Sequence, residues 1–158
     1  MKTKGTGGGN TITGLNFEKE RDILAILRKA KDYSVKSNII YYQGKEVARS
    51  YRKQSLYKFL SKKDVDWRKL ISKRLFPDEA LYVIVNNTLF IIEMKFQKVA
   101  GSVDEKLQTC DFKKKQYRKL TAPLNIEVEY IYILNDWFKN SAYKDTLDYV
   151  ISVGCQYY

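Results

Sequence analysis

The sequence predicts an α/β domain, a mixed β-sheet flanked by helices on both faces. Three observations predict it. Segments of helical and of strand period alternate along the chain in the order helix, hairpin, two short helices, two strands, helix, strand, helix, strand. Residues 79–96 form a strongly apolar, β-branched run interrupted only by Asn86-Asn87, the mark of two core strands. A length of 158 residues with 44% hydrophobic content is enough for one buried core between layers of secondary structure.

Residues 1–15 hold most of the glycine, including Gly7-Gly8-Gly9, and lack a helical period, so they read as a flexible arm ahead of a single domain over 16–158. A phosphate-cradling loop would need Gly-Lys-Ser/Thr close behind those glycines, and none follows. Asn16 is a suitable N-cap for a helix to about Lys31, with Phe17, Ile23, Leu24, Leu27 and Ala30 facing inward. Segments 38–43 and 46–51 flank Gly44 as a short hairpin, and 53–75 suits two short helices around Leu56, Phe59, Leu60 and around Trp67, Leu70, Ile71. Asn86-Asn87 tolerates the positive φ of a tight hairpin turn. Ser102 and Glu105 form a capping box before a helix to about Leu120, which Pro123 ends. Ile126 to Leu134 is a strand, Asp145 begins a short helix, and Gly154 to Tyr158 reads as a strand on which the chain stops, as it would if a C-terminal segment were missing.

Lys and Arg outnumber Asp and Glu by 29 to 18, and the net charge of +11 favours a polyanionic partner, nucleic acid or an anionic surface. No run reaches the length of a membrane span and the polar N-terminus lacks the apolar centre of a signal peptide, so a soluble, intracellular (cytoplasmic) protein with no membrane partner is expected. Cys110 and Cys155 are isolated, and the chain has no histidine. Cys/His zinc sites and histidine-based nuclease chemistry are thereby excluded, which leaves carboxylates, lysine and a metal for any phosphodiester chemistry.

Three (Asp/Glu)-x-Lys tripeptides occur, and context separates them. Asp104-Glu-Lys106 and Asp111-Phe-Lys113 lie in a charged, solvated helix. Glu93-Met-Lys95 interrupts the apolar run Leu89 to Phe96, where ionised groups are costly unless compensated. If Asn86-Asn87 is a two-residue loop, Val85 faces Thr88, Ala80 faces Glu93 and Asp78 faces Lys95. The period of two then puts Asp78, Glu93, Lys95 and Gln97 on one face. Two carboxylates suit magnesium, and a lysine can contact the scissile phosphate and the attacking water. The same geometry also suits a structural ion pair between Asp78 and Lys95, with Glu93 at the sheet rim.

Pro77-Asp78, an apolar hairpin and Ile91-Ile92-Glu93-Met94-Lys95 together resemble the signature of the PD-(D/E)XK nucleases, which include many type II restriction endonucleases. The stretches from Gly101 to Tyr117 and from Gly7 to Glu18 resemble segments of one group of restriction enzymes in that superfamily, extending the likeness over most of the chain. The resemblance implies a restriction-endonuclease-like fold and magnesium-dependent hydrolysis of double-stranded DNA, with Asp78, Glu93 and Lys95 catalytic and Asp78 and Glu93 as metal ligands. Some members add a glutamate from the first helix in a Phe-Glu pair, here Phe17-Glu18. On a helical wheel Glu20, not Glu18, shares the face of Ile23, Leu24 and Leu27; Glu18 is the expected third metal ligand if the helix start lies at the cleft, and otherwise a first-turn charge that suits the helix dipole.

Gln97 is either a phosphate contact or the polar end of a strand. Lys113, Lys114, Lys115 and Arg118, with Gln116 between, make one side of their helix basic, as a solvated face or a DNA-backbone contact. Residues 49–74 carry ten Lys or Arg against two Asp, Lys58 and Lys62 among them, interleaved with Tyr51, Tyr57 and Trp67; a surface gripping the DNA backbone is the better reading there. One site per chain means that a double-strand cut needs a homodimer, a second chain or two successive events. A structure-selective nuclease and a non-catalytic nucleic-acid-binding protein are the alternatives, since the same residues serve the first and the same charge serves the second.

Overall fold

The computed structural model describes residues 22–99 and 101–158, so the glycine-rich arm and Glu18 lie outside the described residues. Its centre is one seven-stranded mixed sheet whose strands follow chain order: β1 (Tyr33–Lys36), β2 (Ile39–Tyr42), β3 (Lys45–Ser50), β4 (Glu79–Val83), β5 (Thr88–Lys95), β6 (Glu127–Leu134) and β7 (Gln156–Tyr157). Pairings from β1 to β5 are antiparallel; β5 with β6 and β6 with β7 are parallel. Short turns suffice for the first kind, as at Gly44, whose φ of +79° suits the tight link between β2 and β3. Parallel neighbours need crossovers, and helices provide them: α3 (Val103–Leu107) and α4 (Cys110–Thr121) between β5 and β6, and α5 (Lys144–Ser152) between β6 and β7.

The two faces of the sheet are covered unequally. Leu56, Tyr57 and Leu60 of α2 (Gln54–Lys62), Tyr117 and Leu120 of α4 and Val150 of α5 pack with Leu89, Ile91, Tyr130 and Tyr132 in the larger core. On the other face α1 (Ile23–Lys29) packs Leu24 against Ile40 and Ala48. Helices thus lie on both faces of a mixed sheet, as the alternating periods predict.

Several elements differ in detail from the sequence reading. A first strand, β1, precedes the expected hairpin and pairs with β2. The second of the short helices before β4 is a single 3-10 turn, Trp67–Lys69. The helix expected across 102–120 is broken at Gln108 and Thr109, and Ser102 makes no side-chain cap. At the break the Tyr132 hydroxyl lies 3.3 Å from the carbonyl oxygens of Lys106 and Leu107, and the Lys106 carbonyl also accepts from the Thr109 hydroxyl at 2.7 Å and the Thr109 N–H at 3.3 Å.

The β4–β5 connection is corrected as well. Val83 faces Thr88, so the loop is the four residues 84–87, and a two-residue loop at Asn86-Asn87 does not form. A tight type I′ turn would need positive φ at both asparagines, and only Asn87 has it, at 51°. Outside contacts hold the wider loop. Ile84 donates its backbone N–H to Val47, Tyr82 donates its hydroxyl to Asn87 Oδ1, and the Asn87 amide donates to the Asn125 carbonyl.

Candidate active site

The register moves by two residues from the expected one, and two is the period of a strand, so every side chain keeps its face. Glu93 and Lys95 lie on the face of Ala80, Leu89 and Ile91, toward the larger core, while Ile92 and Glu79 point to the other side. The last β4–β5 pair is Glu79 with Ile92. There the β4–β5 ladder ends, while β5 stays paired with β6 as far as Lys95 and Leu134. Asp78 stands just beyond that end. Its Oδ2 accepts the Met94 backbone N–H at 2.9 Å, taking the place of a strand carbonyl and fixing the carboxylate at the end of the ladder.

Around this point the charged groups converge. Lys95 Nζ lies 2.8 Å from Glu93 Oε2, 4.0 Å from Asp78 Oδ2 and 3.5 Å from the Met94 carbonyl oxygen. Lys113 Nζ, from α4, donates to both Glu93 oxygens, at 2.8 and 2.9 Å. Glu93 is 7% exposed at its side chain, whereas Asp78 is 33% exposed, so the cluster is buried at one end and open to solvent at the other. Burial alone would raise the Glu93 pKa, but the charges of Lys95 and Lys113 and their hydrogen bonds outweigh it and hold the carboxyl at about 2.

Two tyrosines line the buried end. Tyr130 and Tyr132 both have pKa values pushed up, by burial first and by the negative charge of Glu93 second. The Tyr130 hydroxyl is fully buried with no hydrogen-bond partner of proper geometry among the described residues.

The donor set fits a magnesium ion. Two carboxylates and a backbone carbonyl already surround one positive charge, the Lys95 ammonium, and all are hard oxygen donors. Among the described residues no three Asp, Glu, Cys or His side chains gather into a metal cage. Magnesium does not ask for one, since it retains several waters and commonly uses one or two carboxylates.

The expected DNA contacts fall in two groups. Lys58, Lys62 and Arg118 are exposed, and Lys58 and Lys62 border a basic cleft with Trp67, Arg68 and Arg74. Arg74 is stacked over Tyr57, Trp67 and Phe76, which holds its charge in place beside the cleft. Lys114 differs from the expectation. It is 5% exposed and donates to the Gly154 carbonyl at 2.6 Å and to Glu129 at 3.1 Å, tying α4 to the start of β7. Gln97 is also buried, and its amide nitrogen donates to the carbonyl of Val99 at 2.8 Å and lies 3.5 Å from that of Gly101, so it braces the loop after β5.

Sequence reasoning missed two members of this region. Lys113 was expected to face DNA or solvent and points at Glu93 instead; a signal existed in its four-residue offset from the buried Tyr117, which shares its helix face. Glu79, 2% exposed, is the second. On the far face it accepts hydrogen bonds from the Ser50 hydroxyl and from Arg52 Nε at 2.7 Å, and Arg52 also pairs with Asp22, the N-cap of α1. That network anchors β4 directly behind Asp78. A groove of about 930 Å³ on the same far face, lined by Ile23, Ile26, Ile92, Ile131 and Ile133, is apolar there and does not reach the Glu93 cluster. Comparison with protein-family models, curated proteins and solved structures yields no match.

Proposed function

We propose that this chain is a magnesium-dependent endonuclease of the PD-(D/E)XK type, with a restriction-endonuclease-like fold, that hydrolyses double-stranded DNA at specific sequences inside the cell. One observation carries the reading: just beyond the end of the β4–β5 ladder, Asp78, Glu93 and the Met94 carbonyl gather around the Lys95 ammonium in a cluster that is buried at Glu93 and open to solvent at Asp78. Asp78 and Glu93 would hold the ion. When bound, magnesium supplies Lewis-acid polarisation of a phosphate oxygen and lowers the pKa of a water. The chain's own residues do the rest. The Met94 N–H orients Asp78, burial between β6 and α4 fixes Glu93, and Lys95 presents an ammonium to the charge that grows on the phosphate. The +11 charge and the exposed Lys58, Lys62 and Arg118 draw in and grip the DNA backbone. Two scissions by a one-site chain require a homodimer, a second chain or two successive cuts.

A second reading, a non-catalytic DNA-binding protein, is favoured by the complete pairing of Glu93 with two lysines, as in a structural ion pair. Incubation of plasmid and linear DNA with the protein, with magnesium or with a chelator, separates the two. Magnesium-dependent cleavage at discrete sequences is the expected result. Ends confined to branched or unpaired substrates would make it a structure-selective nuclease, and binding without cleavage would leave the non-catalytic reading.

A further inference from the structure

Three consecutive lysines of α4 have three different fates. Lys115 is exposed and pairs with Asp111 one turn away, while Lys114 is buried against Gly154 and Glu129. Lys113 alone reaches the candidate active site, where its ammonium spans both oxygens of Glu93. Those are the lone pairs that a divalent cation on Glu93 would use. Lys95 also touches Glu93, but only at Oε2, and Asp78 and the Met94 carbonyl help to keep it in place. Lys113 has Glu93 as its one hydrogen-bond partner among the described residues, and its side chain is 24% exposed, so a turn of its long stem carries the ammonium into solvent.

We infer that Lys113 and a divalent cation compete for Glu93, so that Lys113 leaves the carboxylate on metal uptake and turns its ammonium to a DNA phosphate. The inference rests on the nuclease reading and adds a residue to it. Electrostatics supports an exchange of this kind. Asp78, Glu93, Lys95 and Lys113 together are neutral, and a divalent ion placed among them unchanged would face two ammonium groups a few ångströms away in a partly buried site. A scissile phosphate brings the negative charge that receives the displaced lysine. Lys113 thereby couples metal binding to DNA binding, since each favours the position of the lysine that suits the other.

The coupling is read without any cleavage. Titrate calcium, which fills oxygen sites, into the wild-type protein and into Lys113→Met, Lys113→Gln, Lys115→Met and Glu93→Gln by calorimetry, then measure DNA affinity with calcium and with chelator. Lys113→Met is expected to bind calcium about 10-fold tighter or more, because a charge-assisted competitor is gone. Lys113→Gln should fall between, and Lys115→Met should match the wild type. The DNA affinity lost by Lys113→Met should be larger with calcium than with chelator. Calcium affinity unchanged or weakened in a folded Lys113→Met, with wild-type uptake abolished by Glu93→Gln, overturns the inference and leaves the nuclease reading standing. A wild-type protein that takes up no calcium or magnesium overturns both.

Discussion

The chemistry of the site turns on Glu93, a carboxylate buried between two lysines. Its pKa in the folded chain, about 2, lies below the ordinary 4.5, so its ion pairs stabilise the fold fully above pH 4.5 and lose that contribution as pH falls toward 2. The contribution is roughly 3 kcal/mol. Urea unfolding of the wild type and Glu93→Gln should therefore show a gap that is wide at pH 6 and narrows at pH 3; a gap constant across that range contradicts the ion-pair account. Glu93 and Lys95 were legible in the sequence because two charges inside an apolar β-branched run demand compensation. Lys113 was legible only in part: its offset of four residues from Tyr117 puts it toward the inner face, but Lys114 turns inward as well, and the placement of α4 on the sheet decides which of the two meets Glu93.

At the scale of elements, the hairpin shows what a sequence pattern can and cannot carry. The common face of Asp78, Glu93 and Lys95 was legible because it depends on parity, which a two-residue shift leaves intact. The register itself was not, because it is decided by Val47, Tyr82 and Asn125, partners that no local rule at Asn86-Asn87 can see. The break between α3 and α4 lies equally beyond a local rule, since the partners of its carbonyls include the Tyr132 hydroxyl from the next strand. Neighbouring tyrosines of β6 should then respond in opposite ways to loss of the hydroxyl. Tyr132→Phe takes a partner from the buried Leu107 carbonyl and should cost about 1–3 kcal/mol, whereas Tyr130→Phe removes a hydroxyl that has no partner of proper geometry among the described residues and should be neutral or stabilising. Chemical denaturation of the two variants checks this, and equal destabilisation would mean that the Tyr130 hydroxyl is bonded after all.

For the whole molecule, the sequence conveyed an α/β sheet with helices on both faces and a basic surface, and the structure adds which cations remain on that surface. Lys58, Lys62 and Arg118 stay exposed, while Lys113 and Lys114 are held by Glu93 and by Gly154 and Glu129. DNA affinity should fall linearly on a logarithmic salt scale, and Lys58→Ala should flatten that slope by about one counterion. Lys114→Ala should leave the slope unchanged and lower the melting temperature instead, since it frees α4 from β7; a flatter slope with unaltered melting would place Lys114 at the DNA. The decisive comparison is the magnesium-dependent rate of DNA cutting by the wild type, Asp78→Asn, Glu93→Gln and Lys95→Ala, each at a temperature where it is folded. Asp78→Asn keeps an oxygen for the Met94 N–H but loses the charge that holds an ion, and Glu93→Gln loses the same charge at the buried end. Lys95→Ala removes a donor worth about 2.7–4 kcal/mol if it acts as an oxyanion donor does, or about 100-fold to 1,000-fold in rate. The wild type should cut and each variant should lose about two orders of magnitude or more in rate, with DNA binding largely kept; cutting at the wild-type rate by any folded variant would remove Asp78, Glu93 and Lys95 from the chemistry.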